Sequence, residues 1–277
     1  MITTRQLICA AILFCATVHA ADQLPPTVMA RTLHAARVRS AMSAAPAMYL
    51  DTNNWLAVWD CEFTNTTQML DVTGNGNDVS NCPSVLTGPV YTTVTNSPLK
   101  HSWRFTVANS NYFVGGQKLL NGVTQMTVVA WAKANPDCAG YAGLLAEPNI
   151  NYGINGLRYN SGNNPGLELC NNATGVASES PAMPTNVWHF LAMRWTQSAS
   201  RTAELYVDGV YQTNNVWNTP IVTTEPFKIG YYGWLNRFFG GEFAFGAISL
   251  NYLTTNALNE LMAGTVPTNY NRVERVH

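Results

Sequence analysis

The chain has 277 residues, a length that fits one large domain or two small ones. Hydrophobic residues make up 47% of it and charged residues 11%, against a usual charged fraction of about 25%. Low charge with many neutral polar residues is typical of an extracellular β protein and not of a helical cytosolic enzyme. The net charge of −1 gives no electrostatic reason to expect nucleic acid or an anionic membrane as a partner.

The first twenty residues have the features of a secretory signal peptide. Arg5 provides a positive charge, and residues 7–18 form an apolar run. Small residues at Val18 and Ala20 then favour cleavage after Ala20. The apolar run is too short to span the roughly 30 Å of hydrocarbon in a bilayer, and no later stretch is long and apolar enough. We therefore expect a secreted protein without a membrane-spanning segment.

Residues 21–50 differ in composition from the rest of the chain. They are rich in alanine and carry Arg31, Arg37 and Arg39 between flanking prolines, a composition that favours helix. Two interpretations stay open: a mobile, partly helical leader, or an arm that drives oligomerisation or is removed as a pro-segment. The predicted organisation is a signal peptide (1–20), an N-terminal arm (21–50), a main domain (51–265) and a C-terminal tail (266–277).

From Trp55 onward the sequence predicts β-strands. Short runs of β-branched and aromatic residues alternate with clusters of Gly, Asn, Pro and Ser, and the one helical pattern is a turn at 254–262. Within 205–211, Asp208 and Gly209 separate two such runs and tolerate the positive φ of a type I′ hairpin turn. We see no internal repeat, and the pattern predicts a single all-β domain with two antiparallel sheets.

Four motif segments follow one another along the chain. They are LDVTGNGND (70–78) after an opening strand, SNYFV (110–114) with MTVVAW (126–131), WHFLAMRW (188–195) with ELYVDG (204–209), and FKIG (227–230) with FGGEF (239–243). In this order they resemble the laminin-G-like branch of the concanavalin A-like lectin/glucanase superfamily. The resemblance implies a jelly-roll sandwich of two curved antiparallel sheets, which agrees with the strand pattern.

The first of these loops is a candidate calcium site. Asp71, Asn75, Asn77 and Asp78 lie together in a glycine-containing loop and offer the oxygen ligands that calcium prefers. In the resembled family this loop often helps to bind calcium together with an acid from the closing strand.

The closing strand departs from the family pattern. Ala244 and Phe245 stand where the family usually has Asp or Glu, which leaves Glu242 as the candidate partner acid. The alternative to a calcium site is a turn held by hydrogen bonds from Asx side chains, with Gly74 and Gly76 at positive φ.

The cysteine count agrees with export. Four cysteines follow the signal peptide, namely Cys61, Cys82, Cys138 and Cys170. An even number in an exported chain predicts two disulfides with three possible pairings, of which we favour Cys61–Cys82 and Cys138–Cys170. A zinc site is the alternative, but the chain lacks a C-x-x-C pair and has no histidine nearby in sequence.

The aromatic residues divide by context. Five tryptophans lie in predicted strands and are expected in the core: Trp59, Trp103, Trp131, Trp188 and Trp195. Six other aromatics lie in polar or glycine-rich segments: Tyr152, Tyr159, Trp217, Tyr231, Tyr232 and Trp234. Because sugars stack their apolar faces on aromatic rings and pair their hydroxyls with amides, these six predict a surface that recognises glycan or protein. The alternative is that they cap the open ends of the sandwich.

Catalytic motifs are weak. Glycan-cleaving relatives of this fold carry paired carboxylates on one strand, and no E-x-D-x-x-E motif occurs here. Glu168 and Glu204 would have to meet on a shared sheet face, with their carboxyl groups about 5 to 9.5 Å apart. Asp208 is better explained by the hairpin turn and His189 by its strand, so an enzyme is not favoured.

The sequence therefore predicts a secreted, non-catalytic module that recognises glycans or glycoproteins in adhesion or surface attachment. Asn65 and Asn172 begin N-x-[ST] motifs and are candidate glycosylation sites. The alternative is a structural subunit of an extracellular coat, appendage or matrix, which assembles as a homo-oligomer through its N-terminal arm. A glycan-active hydrolase or lyase is a third hypothesis.

Overall fold

The computed structural model describes residues 55–64, 67–82, 88–93, 100–138, 140–149, 151, 153–160, 163–197, 202–233 and 237–263. The predicted signal peptide, N-terminal arm and C-terminal tail lie outside these residues, so those assignments stay predictions.

The described residues form sixteen β-strands, one 3₁₀ turn and one α-helix. The strands in the first half are β1 (Trp55–Thr64), β2 (Gln68–Asp71), β3 (Val79–Asn81), β4 (Val90–Thr93), β5 (His101–Phe105), β6 (Phe113–Gly115), β7 (Gln125–Ala134) and β8 (Ala142–Asn149). Those in the second half are β9 (Gly153–Asn160), β10 (Asn164–Cys170), β11 (Gly175–Glu179), β12 (His189–Thr196), β13 (Thr202–Val207), β14 (Val210–Val216), β15 (Lys228–Ile229) and β16 (Gly241–Ser249). The 3₁₀ turn is Val107–Asn109, and helix α1 is Thr255–Met262.

The strands form one hydrogen-bonded path that folds into two antiparallel layers. The first sheet has the order β14–β13–β12–β7–β16–β1, with β5 and β4 added beside β16. The second sheet has the order β2–β3–β6–β15–β8–β9–β10–β11. Strand β9 packs across from β7 and β12, and β10 packs across from β13, with the apolar core between them. The predicted two-sheet antiparallel sandwich is confirmed.

Alternation along the strands decides which residues enter the core. Leu191, Met193 and Trp195 of β12 lie in the core. Because successive side chains of a strand point to opposite faces, the residues between them face outward. Trp131 and Trp188 occupy outward positions and are half-buried. The expectation that these two tryptophans are core residues is therefore wrong.

The hairpin predicted at Asp208 and Gly209 is confirmed. It joins β13 to β14, and the two residues have φ values of 51° and 76°, as a type I′ turn requires. The Asp208 carboxylate accepts a hydrogen bond from Phe190 N (2.9 Å) and lies 2.7 Å from His189 Nδ1. His189 thus ties the hairpin to the start of β12, which is a structural role.

Helix α1 packs through Leu258 and Leu261, and its N-terminus is capped by Thr254, whose hydroxyl accepts a hydrogen bond from Ala257 N (3.2 Å). Arg194 on β12 donates to Leu253 O (2.8 Å) and so fixes the segment that leads into the helix. Among the residues that the structure describes, none belongs to a helix with the length and hydrophobicity to cross a bilayer.

The predicted disulfides are not formed, because the register separates their cysteines. Cys61 lies on β1, and Cys82 follows β3, two strands away or roughly 10 Å at the usual strand spacing. The chain reaches Cys138 just before β8 begins, whereas Cys170 lies beside Ile154, which pairs with Pro148 near the far end of β8. Disulfide-linked Cα atoms lie within about 7 Å of each other, so neither favoured pair has the geometry.

Cys61, Cys82 and Cys170 make contacts through their thiol groups. Cys61 Sγ donates to Phe243 O (3.2 Å), and burial raises the pKa of the Cys61 thiol well above its ordinary value. We expect iodoacetamide to modify Cys61 and Cys170 slowly in the native protein and fully after denaturation without reductant, as read by intact mass. A protein whose mass changes upon alkylation only after reduction would contradict this thiol assignment.

Glu147 on β8 fastens the segment that precedes β7 to the second sheet. Its Oε2 accepts a hydrogen bond from Leu120 N (2.7 Å) and another from Leu119 N, while Thr223 donates to its Oε1. Glu147 is fully buried, and this burial raises the pKa of its carboxyl to about 7, although the three hydrogen bonds oppose the shift.

This raised pKa gives a pH dependence with a defined sign. Because the folded protein holds the Glu147 proton more tightly than the unfolded chain, the stabilisation is complete below about pH 4.5 and is lost as the pH rises through about 7. Relative to Glu147→Gln, the wild type should lose about 2–4 kcal/mol of unfolding free energy across this interval, measured by urea denaturation. Glu260→Gln, which removes an exposed carboxylate on α1, is the control. A pH-independent difference between wild type and Glu147→Gln would contradict the assignment.

Candidate functional site

The structure separates the six aromatic residues that were predicted to bind ligand. Tyr159 is 0% exposed and Trp217 is 3% exposed, and both belong to the core between the sheets. Tyr159 lies on β9 with the same parity as Leu157, and Trp217 O accepts a hydrogen bond from the Trp195 indole (2.9 Å). The prediction of a ligand-binding role is therefore wrong for Tyr159 and Trp217. Tyr152 and Trp234 lie outside the described residues.

Tyr231 and Tyr232 lie together in a loop that crosses the outer face of the second sheet. This segment, residues 230–233 and 237–240, is called the 230 loop below. Tyr232 packs against Ala146 and Ile154 in a small apolar cluster outside the main core. Its hydroxyl lies 2.9 and 3.1 Å from the two oxygens of Glu168 and donates to that carboxylate. Both tyrosines are buried, so neither offers an open stacking surface by itself.

Glu168 belongs to a charged cluster that neighbouring strands bring to this outer face. Gly166 pairs with Arg158 on one side and with Glu179 on the other, so Arg158, Glu168 and Glu179 share a face. Arg158 Nε lies 3.1 Å from Glu168 Oε2, and Arg158 Nη2 lies 2.7 Å from Glu179 Oε1. Burial raises the pKa of the Glu168 carboxyl, while Arg158 and Tyr232 act in the opposite direction.

Tyr141 covers this cluster and is 38% exposed. The Arg158 guanidinium carbon lies over its ring at 4.7 Å from the centroid, and that of Arg237 lies over it at 4.6 Å. Arg237 comes from the 230 loop, where its carbonyl accepts a hydrogen bond from Tyr232 N (3.0 Å). Tyr141 has a φ of 61°, a left-handed conformation that costs a non-glycine residue about 1–3 kcal/mol and that clusters at functional sites.

The cluster combines groups that recognise sugars. The partly exposed ring of Tyr141 offers an apolar surface for sugar C–H groups, and the half-buried guanidinium of Arg237 can donate hydrogen bonds to hydroxyl groups and anions. Asn160, which donates to Glu179, adds an amide, and Glu179 adds a half-buried acceptor. We take Tyr141, Arg158, Glu179 and Arg237 as the candidate functional site.

Alternation would have identified part of this site from the sequence. Arg158 and Glu168 each interrupt an apolar strand at an outward position, between core residues such as Leu157 and Leu167. A charged residue within an otherwise apolar strand predicts a paired charge, because a lone charge is rarely buried. No comparable pattern marks Tyr141 or Arg237, which lie in loops.

The predicted calcium ligands form a hydrogen-bonded turn. Asp71 Oδ1 accepts hydrogen bonds from Val58 N (3.0 Å) and Thr73 N (3.0 Å), and its Oδ2 accepts one from Asn77 N (3.1 Å). The amides of Asn75 and Asn77 donate to Leu56 O (3.0 and 2.8 Å). Gly74 and Gly76 have φ values of +81°, as expected for such a turn.

Glu242 does not join this turn. It lies on β16 beside β5 and β7, where it accepts a hydrogen bond from Ser102 (2.8 Å) and pairs with Lys133 (2.9 Å). The described residues include no group of three His, Cys, Asp or Glu side chains placed to hold a metal ion. Glu242 is therefore not the partner acid of this loop, and calcium binding stays a prediction.

The other predicted sites are placed as follows. Glu204 lies on the first sheet, paired with Arg194 (2.6 Å), and therefore does not meet Glu168 on the second sheet. Asn172 is exposed, as a glycosylation site requires, while Asn65 lies outside the described residues. Glycosylation at both positions stays a prediction.

Comparison with solved structures finds the same fold in proteins of low sequence identity. Domain 4 of AbnA, a GH43 extracellular arabinanase from Geobacillus stearothermophilus in complex with arabinotriose, has a TM-score of 0.59 at 14% identity, with 76% of this chain and 98% of that domain covered. The binding domain of Paraclostridial Mosquitocidal Protein 1 has a TM-score of 0.58 at 12% identity, covering 77% of this chain and 52% of that one. Trypanosoma rangeli sialidase has a TM-score of 0.54 at 15% identity, covering 78% of this chain and 33% of the sialidase.

A comparison with curated protein sequences finds no match. A laminin G family model, described as the Concanavalin A-like lectin/glucanases superfamily, matches residues 92–256, which is more than half of the chain. The matched segment runs from β4 to the start of α1 and contains Tyr141, Arg158, Glu179 and Arg237. The chain belongs to the Concanavalin A-like lectin/glucanases superfamily.

Proposed function

We propose that this protein is a secreted recognition module that binds glycans, free or on glycoproteins, at the outer face of its second sheet. Tyr141 is the centre of the proposed binding site, with Arg158, Arg237 and Glu179 around it. The proposal keeps the prediction of a secreted glycan binder but moves the ligand contact from the buried tyrosines of the 230 loop to Tyr141 and Arg237.

The observation that carries the proposal is the environment of Tyr141. The partly exposed aromatic ring of a residue with a strained backbone conformation packs against two guanidinium groups. A strained backbone conformation persists where the surrounding contacts hold it in place. Aromatic rings beside arginines are the usual anchors of a recognition surface. The fold supports the proposal. The arabinanase domain of similar fold was solved in complex with arabinotriose. The part of the mosquitocidal protein that has a similar fold is its binding domain.

A hydrolase is the second candidate, because Glu168 and Glu179 lie side by side on the same face. Glycosidases use such a pair with the sugar between the two carboxyl groups. Here the Arg158 guanidinium occupies the space between them and pairs with both, and Glu168 is 6% exposed. This arrangement favours binding over catalysis. Release of reducing ends from a polysaccharide, lost in Glu168→Gln, would instead establish the enzyme.

The proposal predicts that Tyr141 dominates binding. On a glycan array followed by calorimetry, Tyr141→Ala should weaken binding of the best ligand about tenfold, because the sugar loses its stacking partner, while Tyr141→Phe retains most of the affinity. Tyr211→Ala removes a similarly exposed tyrosine from β14 on the first sheet and should have no effect. Far-UV circular dichroism and thermal melts check that each variant is folded.

Two outcomes would contradict the proposal. A folded wild type that binds no glycan on the array removes the function, and unchanged binding by Tyr141→Ala removes the site. Repeating the array with calcium and then with chelator tests the separate calcium prediction, which requires that the chelator abolish or weaken binding.

A further inference from the structure

Arg237 differs from the other well-placed arginines of the sandwich. Arg194 pairs with Glu204 (2.6 Å) and donates to Leu253 O (2.8 Å), and Arg104 lies 3.6 Å from Glu242. Among the residues that the structure describes, by contrast, no carboxylate lies within ion-pair distance of Arg237. Arg237 lies against the Tyr141 ring, and its carbonyl accepts a hydrogen bond from Tyr232 N.

Arg158, by contrast, is held inside the protein. The residue is 2% exposed, and its Nε and Nη2 face Glu168 and Glu179. Its Nη1 is also buried and therefore closed to a ligand in this arrangement. Arg237, which is half-buried, is the guanidinium that a ligand can reach.

We propose that this site selects anionic sugars, with a carboxylate or sulfate oxygen bound by the half-buried Arg237 guanidinium while the sugar ring lies against Tyr141. The inference rests on the proposed function and adds the ligand class. A guanidinium presents parallel N–H donors that match the geometry of carboxylate and sulfate oxygens, and charge-assisted hydrogen bonds are about twice as strong as neutral ones.

The charges of Arg158 and Arg237 balance those of Glu168 and Glu179, so an anionic ligand would be held by its direct contact with Arg237 and not by a net positive charge of the site. Glu168 is occupied by Arg158 and by the Tyr232 hydroxyl, and Glu179 is occupied by Arg158 and Asn160. Lys228, which lies over the Tyr231 ring at 4.6 Å, is paired with Glu225 and adds no net charge. The charge of Arg237 is therefore the one that lacks a counter-ion within the described part of the site.

The test uses pairs of probes in which one kind of charged group is present in the first member and is removed or esterified in the second. Trigalacturonic acid is compared with its methyl ester, and a chondroitin sulfate tetrasaccharide with its desulfated form, by calorimetry on the full-length mature protein at 50 mM NaCl. We expect at least one acidic probe to bind about tenfold more tightly than its partner, with a preference that shrinks at 500 mM NaCl. The two pairs distinguish a carboxylate from a sulfate ligand.

Variants then assign the preference to Arg237. Arg237→Gln should lower affinity for the acidic probe about tenfold and change that for the neutral probe less than twofold, and Arg237→Lys should restore part of the loss. Arg104→Gln, an exposed arginine beside the first sheet, is the matched control and should bind like the wild type.

Equal affinity within both probe pairs, or a preference that Arg237→Gln leaves intact, would overturn this inference without affecting glycan binding at Tyr141. Binding of neutral glycans alone on the array would do the same. A folded protein that binds no glycan at all would overturn the proposed function as well, so the two failures are distinguishable.

Discussion

The buried charge of Arg158 organises the outer face of the second sheet. A guanidinium that is 2% exposed must be paired inside the protein, and its partners come from the two next strands, Glu168 from β10 and Glu179 from β11. Removing one partner of such a pair costs about 3–5 kcal/mol, because it leaves a charge buried without compensation. Glu168 in turn accepts from Tyr232, which fixes the 230 loop, and the loop places Arg237 over Tyr141. The candidate site is therefore a consequence of satisfying one buried cation.

Glycines make this arrangement possible by letting the loop lie directly on the sheet. A Cβ atom at Gly143 would lie 2.4 Å from Tyr231 O, and one at Gly153, whose φ is +137°, would lie 1.8 Å from Glu168 Oε1. Any larger residue at these positions would lift the loop or displace the carboxylate. This close approach explains why every residue of β8 is buried, although one face of that strand points away from the core.

The sequence was a good guide to features that depend on neighbours in the chain. The strands, the Asp208–Gly209 hairpin and the sandwich follow from composition and periodicity, which are local. Tyr159 was misassigned because its polar neighbours indicated a loop, whereas it is on β9 with core parity. Trp131 and Trp188 were misassigned because strand residues were taken as core without regard to parity. The disulfide pairing failed for a different reason, since it depends on which strands are adjacent and in which register, and that is set by the whole sheet.

The dependence on distant contacts also explains why only part of the candidate site was predicted. The 230 loop was identified by its aromatics, but its partners Tyr141 and Arg158 lie roughly 70 to 90 residues earlier, and sequence alone does not reveal contacts across that distance. The structure separates the residues that anchor the loop from those that form the exposed surface. Tyr232 is an anchor that donates to Glu168, and the exposed contact surface belongs to Tyr141 and Arg237.

This division also bears on the choice between a binding module and an enzyme. Catalysis by paired carboxylates needs one of them to gain and lose a proton beside a bound sugar. A guanidinium held between the two carboxylates fills the space that the sugar would need and disfavours the proton transfer. Recognition makes the opposite demand, because a side chain fixed before the ligand arrives loses less conformational entropy on binding. Tyr141, packed against two guanidinium groups in a backbone conformation that is rare for a non-glycine residue, is fixed in this sense. The contacts that disfavour chemistry at Glu168 and Glu179 are therefore the ones that prepare the surface for a ligand.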